Sequence, residues 1–182
     1  TLTNSDKEIR RQAANLLNEL ATDFQGRIAL STGGGVLANI VSGPPKKPAL
    51  LVALAEQNLE LLDKVITEDD EWLIRSQVAQ AMSGAEPSKE LVEILIKAVQ
   101  DEEESVQESA IYSLGKFKEV AAPAVPVLIK ALDTAADLCA ADALGAIGPA
   151  AKEAIPALKK MAKRSDPAGK DKAKMAISLI KG

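Results

Sequence analysis

Apolar positions recur along most of this chain at the spacing of a helix face. In VQESAIYSLG (106–115) they fall at Val106, Ala110 and Leu114. The same step of four returns at Ile9, Ala13 and Leu17, at Ile74, Val78 and Met82, and at Ala136, Ala140 and Leu144. Such steps bring side chains back to one side of an α-helix, whereas a strand alternates every second residue. KAKMAISLI (172–180) adds Ala173, Ala176, Ile177 and Ile180. These stretches are termed A helices.

A second phrase alternates with the first. AVPVLIKAL (124–132) is echoed 30 residues later by AIPALKKMA (154–162), and 33 residues earlier by LVEILIKAV (91–99). A further step of 33 reaches NLELLDKVI (58–66). Leu62, Leu95, Leu128 and Leu158 become equivalent, as do Lys64, Lys97, Lys130 and Lys160. Each of these B helices has its own apolar stripe: Val92, Leu95 and Val99; Val125, Leu128 and Leu132; Ile155, Leu158 and Ala162. Neither helix of a pair can bury its stripe alone, and stacking of successive pairs makes one continuous core.

Helix ends carry their own signals. A B helix beginning near Pro123 leaves Pro126 in its first turn, where the backbone N–H has no partner to lose, and Pro156 reads the same way. Ser5 with Glu8 is a capping box. The acidic runs EDDE (68–71) and DEEE (101–104) precede A helices, where negative charge suits the helix dipole.

The acidic turn, the Ala-rich helix ending in Leu-Gly and the Pro-led helix ending in LIKAL together resemble the HEAT repeat family. The stretch 103–133, EESVQESAIYSLGKFKEVAAPAVPVLIKALD, fits best. The resemblance implies an Arg after the first apolar residue of each A helix that pins it in place. That Arg is present as Arg10 and Arg75 and is replaced by Gln107 and Asp137. Residues 24–42, FQGRIALSTGGGVLANIVS, resemble the armadillo relatives of this family, and SGPPKKP (42–48) breaks the period.

The fold expected is therefore all-α: a right-handed α-solenoid of about five stacked antiparallel helix pairs in one domain, 1–182. Its divisions are an armadillo-like pair (5–43), an irregular pair (46–67), HEAT-like repeats at 69–101, 102–133 and 134–164, and a terminal half-repeat (166–182). Composition agrees. Hydrophobic residues make up 47% of the chain but aromatics only 2%, so the core is built from Ala, Leu, Ile and Val, which suits packed helices.

Candidate chemistry is sparse. The chain has no His and a single cysteine, Cys139, so a disulfide, a Cys-based zinc site and the commonest general base are all missing. Thr32-Gly33-Gly34-Gly35 lacks the Lys-Ser/Thr that closes a phosphate loop and reads as a corner between helices. Neither acidic run has the alternating spacing and central Gly of a calcium loop. Relatives in this family include metal enzymes with paired His-Glu sites and bilin lyases; the residues here support neither. No enzymatic activity, cofactor or metal is expected.

The remaining constellation is the lysine register. With Val92, Leu95 and Val99 defining the buried side, Lys97 lies about 140° from Val92 and faces solvent. Lys64, Lys130 and Lys160 follow it onto what the resemblance implies is the inner, concave surface. These four lysines, with Glu90 and Glu93, are the candidate partner-binding residues. Charge is also uneven: 56–108 holds fifteen acids and four bases, a net of −11, and 151–182 holds nine bases and three acids, a net of +6. The overall charge is −4 and aromatics do not interleave the basic end, so nucleic acid is not the expected partner. No run is long enough to span a bilayer. The first residues, TLTNSDKE, are too polar for a signal peptide and lack an initiating Met, as expected of a trimmed precursor or fragment. The expected function is a monomeric protein-binding scaffold or adaptor, most simply cytoplasmic. The alternative is an accessory module of a larger enzyme or complex.

Overall fold

A computed structural model of the chain describes residues 59–163 and 167–182. The readings made on Ser5, Glu8, Arg10, Gly33 to Gly35 and the armadillo-like stretch lie outside those residues. Within them the chain forms eight α-helices. B helices are α1 (Leu59–Glu68), α3 (Lys89–Ala98), α5 (Val125–Ala131) and α7 (Ile155–Met161). A helices are α2 (Trp72–Ala81), α4 (Glu104–Phe117), α6 (Asp137–Ile147) and α8 (Pro167–Lys181).

The helices lie in two layers. In one, α2 packs on α4, α4 on α6 and α6 on α8. In the other, α1 packs on α3, while α3 meets α5 and α5 meets α7 through the 3-10 segments that lead into each following B helix. This is the solenoid that the period predicts. Its seam is formed by the matched stripes. Leu95, Leu128 and Leu158 are completely buried, and Leu62 packs against the same core. Val106, Ala110 and Leu114 are matched by Ala136, Ala140 and Leu144, none more than 1% exposed.

The two prolines sit where a missing donor costs least, but the helix around each is shorter than the sequence suggests. α5 begins at Val125 and α7 at Ile155, with Pro126 and Pro156 in their first two positions. Pro123 belongs to a separate 3-10 lead-in, Lys118–Ala124. The matching lead-in is Gly148–Ala154. Both begin at a positive φ, 51° at Lys118 and 72° at Gly148. Glycine adopts that backbone at no steric cost, whereas lysine does not.

The Leu-Gly phrase has a packing cause. A Cβ at Gly115 would stand 3.3 Å from the Ala143 Cα, and one at Gly145 would stand 3.1 Å from the Ala176 Cα. Glycine on one A helix thus receives alanine from the next, and the backbones approach closely.

Candidate partner-binding face and its supports

Three turns prepare the A helices. Asp69 Oδ1 accepts the Glu71 N–H at 3.0 Å and Asp101 Oδ1 accepts the Glu103 N–H at 3.0 Å. Thr134 Oγ1 accepts the Ala136 N–H at 3.2 Å. In each case the oxygen lies two residues before the residue that caps the helix, an Asx- or Ser/Thr-type turn. The acidic runs therefore do more than oppose the dipole: one carboxylate in each shapes the entry.

Arg75 ties two of these turns together. Its Nη1 donates to the Asp69 carbonyl at 2.6 Å, and its Nε and Nη2 donate to the two carboxylate oxygens of Asp101 at 2.7 and 2.8 Å. Both side chains of the ion pair are only 9% exposed. The bond to Asp101 raises the Arg75 pKa against the effect of burial. Burial alone would raise the Asp101 carboxyl, but the bonds from Arg75 and from the Glu103 N–H outweigh it and the pKa falls below its ordinary value. Gln107, at the matching place in α4, donates to the Asp101 carbonyl at 2.7 Å. It repeats the link to its own turn with a shorter side chain and makes no bond to the following one.

The four lysines of the register are exposed on successive B helices. Two of them are bound to their neighbours. Lys97 Nζ donates to both oxygens of Asp63 on α1 at 2.7 Å. Lys160 Nζ contacts both oxygens of Asp133, in the turn after α5, at 3.1 Å. These are solvent-facing pairs, each worth at most about 1 kcal/mol. Lys64 and Lys130 are exposed on α1 and α5. Glu93 is exposed on α3, beside the register. Glu90 serves the helix start: its carboxyl is held below its usual range by its own backbone N–H and by Ser88. Ser88 itself caps α3, accepting the Leu91 N–H at 3.2 Å. The Ser-Lys-Glu sequence carried that signal.

The A-helix layer is laced by other contacts. Ser76 and Ser109 hydroxyls meet at 2.9 Å, Ser113 donates to the buried Ala79 carbonyl at 2.7 Å, and Lys172 pairs with Asp142. Cys139 Sγ lies 3.9 Å from a Glu108 carboxylate oxygen, and burial, with that acid beside it, pushes the thiol pKa up. The thiol is thus held away from its nucleophilic form. Trp72 is 44% exposed at the start of α2, and Leu73 beside it is 51% exposed. Among the described residues no cluster of His, Cys, Asp and Glu could hold a metal, and no helix is long and apolar enough to cross a membrane.

Residues 59–139 match the family model of HEAT repeats. That segment is HEAT-like. Several solved structures share the architecture. Across 81% of this chain and 70% of the other, it superposes with TM-score 0.56 and 21% identity on a chain from the complex of CpcE and CpcF of phycocyanin lyase from Nostoc sp. PCC7120. An engineered protein matches over 100% of this chain and 92% of its own, with TM-score 0.60 and 23% identity. A designed armadillo repeat protein in complex with the peptide (KR)4 matches over 98% and 95%, with TM-score 0.60 and 18% identity. At these identities the likeness is one of fold. No curated protein matches the sequence at a significant level. The HEAT match begins with α1 and runs into α6, so it covers the Arg75 tie and the first three lysines of the register.

Proposed function

We propose that this HEAT-like chain is a non-enzymatic scaffold that binds a protein or peptide along its B-helix face. The observation that carries the reading is the continuous register of exposed side chains across α1, α3, α5 and α7, set on a core that the same residues' neighbours bury completely. A solenoid repeats one surface position on every unit, which gives an extended partner many small contacts rather than one pocket. The structural neighbours with partners in hand, the lyase complex and the peptide-bound designed protein, are in keeping with that use.

Affinity purification of the tagged chain from its source cell tests the reading. It should recover a stoichiometric protein partner, and Lys130→Glu should weaken recovery. Recovery of no partner at low salt, with the chain folded, overturns it.

A second reading, an accessory module docked on a larger assembly, draws on α8. Its outer side exposes Met175 at 61% and Leu179 at 50%. In that case Met175→Glu with Leu179→Glu, and not Lys130→Glu, would release the assembly.

A further inference from the structure

The B-helix face carries a chemical direction as well as a register. Stepping by the repeat, four rows of side chains run across the layer. The lysine row is Lys64, Lys97, Lys130 and Lys160. Beside it runs a row that changes character: Asp63 on α1, Ile96 on α3, Ile129 on α5 and Lys159 on α7. A third row reads Glu60, Glu93, Pro126 and Pro156, and a fourth Thr67, Gln100, Asp133 and Lys163.

Taken helix by helix, the trend is plain. On α1 two acids accompany one lysine. The α3 and α5 units, each with the turn that follows, carry one acid and one lysine in the four rows, and Ile96 and Ile129, half-buried against the core, supply an apolar floor. On α7 and in the turn after it three lysines, 159, 160 and 163, stand with no acid in the four rows. Of these, Lys160 pairs with a carboxylate, Asp133. Lys159 and Lys163 form no ion pair among the described residues. The middle of the face is neutral and greasy, and one end is strongly basic.

We propose that this face takes an extended protein segment that is apolar at its centre and acidic at one end, with the acidic end lying over α7. The proposal rests on the scaffold reading and adds to it the chemistry and the orientation of the partner. Apolar side chains of the segment cover Ile96 and Ile129, and its carboxylates meet Lys159 and Lys163. Those two lysines were not in the matched register, because it follows the repeated Lys and they occur only in the last unit. Crossing the layer takes three interhelical steps of about 9 Å, a span of about eight to nine extended residues.

A fluorescently labelled synthetic peptide of that length, with alternating Leu and Ser and a run of glutamates at one end, tests this on the full chain by polarisation. Replacing its glutamates by glutamine should weaken binding about ten-fold, as expected for the loss of two or three exposed charge pairs. Lys159→Glu with Lys163→Glu should cause a loss of the same order, while Lys170→Glu with Lys174→Glu on α8, which belongs to the A-helix layer, should leave binding within about two-fold. Ile129→Ser should weaken the acidic and the glutamine peptide alike. Circular dichroism confirms that each variant is folded. Equal binding of a peptide ending in lysines, or an equal loss from the α8 pair, overturns the orientation while leaving the scaffold reading standing. Absence of binding by every peptide at millimolar concentration overturns the segment proposal itself, whereas failure of the scaffold reading would appear separately, as the absence of a co-purifying partner.

Discussion

At the scale of single residues, the repeat provides its own controls. Lys118 and Gly148 occupy the same corner, thirty residues apart, with φ of 51° and 72°. A non-glycine residue in such a region costs on the order of 1 kcal/mol or more. Lys118→Gly should therefore stabilise the chain by about 1 kcal/mol, and Gly148→Ala should destabilise it by a similar amount although its Cβ would meet nothing within 4 Å. Urea titration reads both. Arg75 offers a second control. Arg75→Ala leaves Asp101 unpaired at a buried turn and should cost about 3 kcal/mol; Arg75→Gln, which imitates Gln107, should recover part of that through the Asp69 carbonyl. Because the Asp101 pKa is lowered in the folded state, its contribution is full above the ordinary carboxylate range and is lost as pH falls through the folded value. Stability measured from neutral pH into acid should thus fall less steeply in Arg75→Ala than in the parent.

At the scale of helices, close approach governs what can change. Gly145 faces a backbone atom at 3.1 Å and Gly115 one at 3.3 Å. Alanine ordinarily strengthens a helix interior by up to about 1 kcal/mol over glycine. Here the contact offsets the gain, so Gly145→Ala should be more destabilising than Gly115→Ala in the same titration. Much of this layer was readable beforehand. The stripes at Val106, Ala110 and Leu114 and their counterparts follow from helical spacing alone, and they are buried as that spacing requires. The 3-10 lead-ins were not readable, because a proline marks a helix start without saying whether α or 3-10 turns precede it. The exposure of Lys97 also followed from its angle to Val92. Its bond to Asp63, 34 residues away, did not: a repeat fixes which side a residue faces, while the offset between neighbouring helices decides which charge it meets. Gln107 was the subtlest case. Read as the loss of a pinning Arg, it turns out to keep the link to its own turn and to give up the link to its neighbour.

At the scale of the molecule, stability is a sum over neighbours. In a stack, the units with partners on both sides open last. Amide hydrogen exchange should show α4 and α6 protected longest, with α8 exchanging before them; faster exchange in α4 than in α8 would contradict the layer order. Cys139 adds an internal gauge of such motion. Its sulfur sits at the junction of α4 and α6, beside Glu108, with a raised pKa. Alkylating reagents should label this half-buried thiol slowly at neutral pH, and any parting of those two helices, by uncovering it further, should quicken the labelling, which then serves as a clock. A tethered partner that braces the stack would slow that clock, so one native sulfur can report binding from the opposite side of the molecule without any dye or added probe.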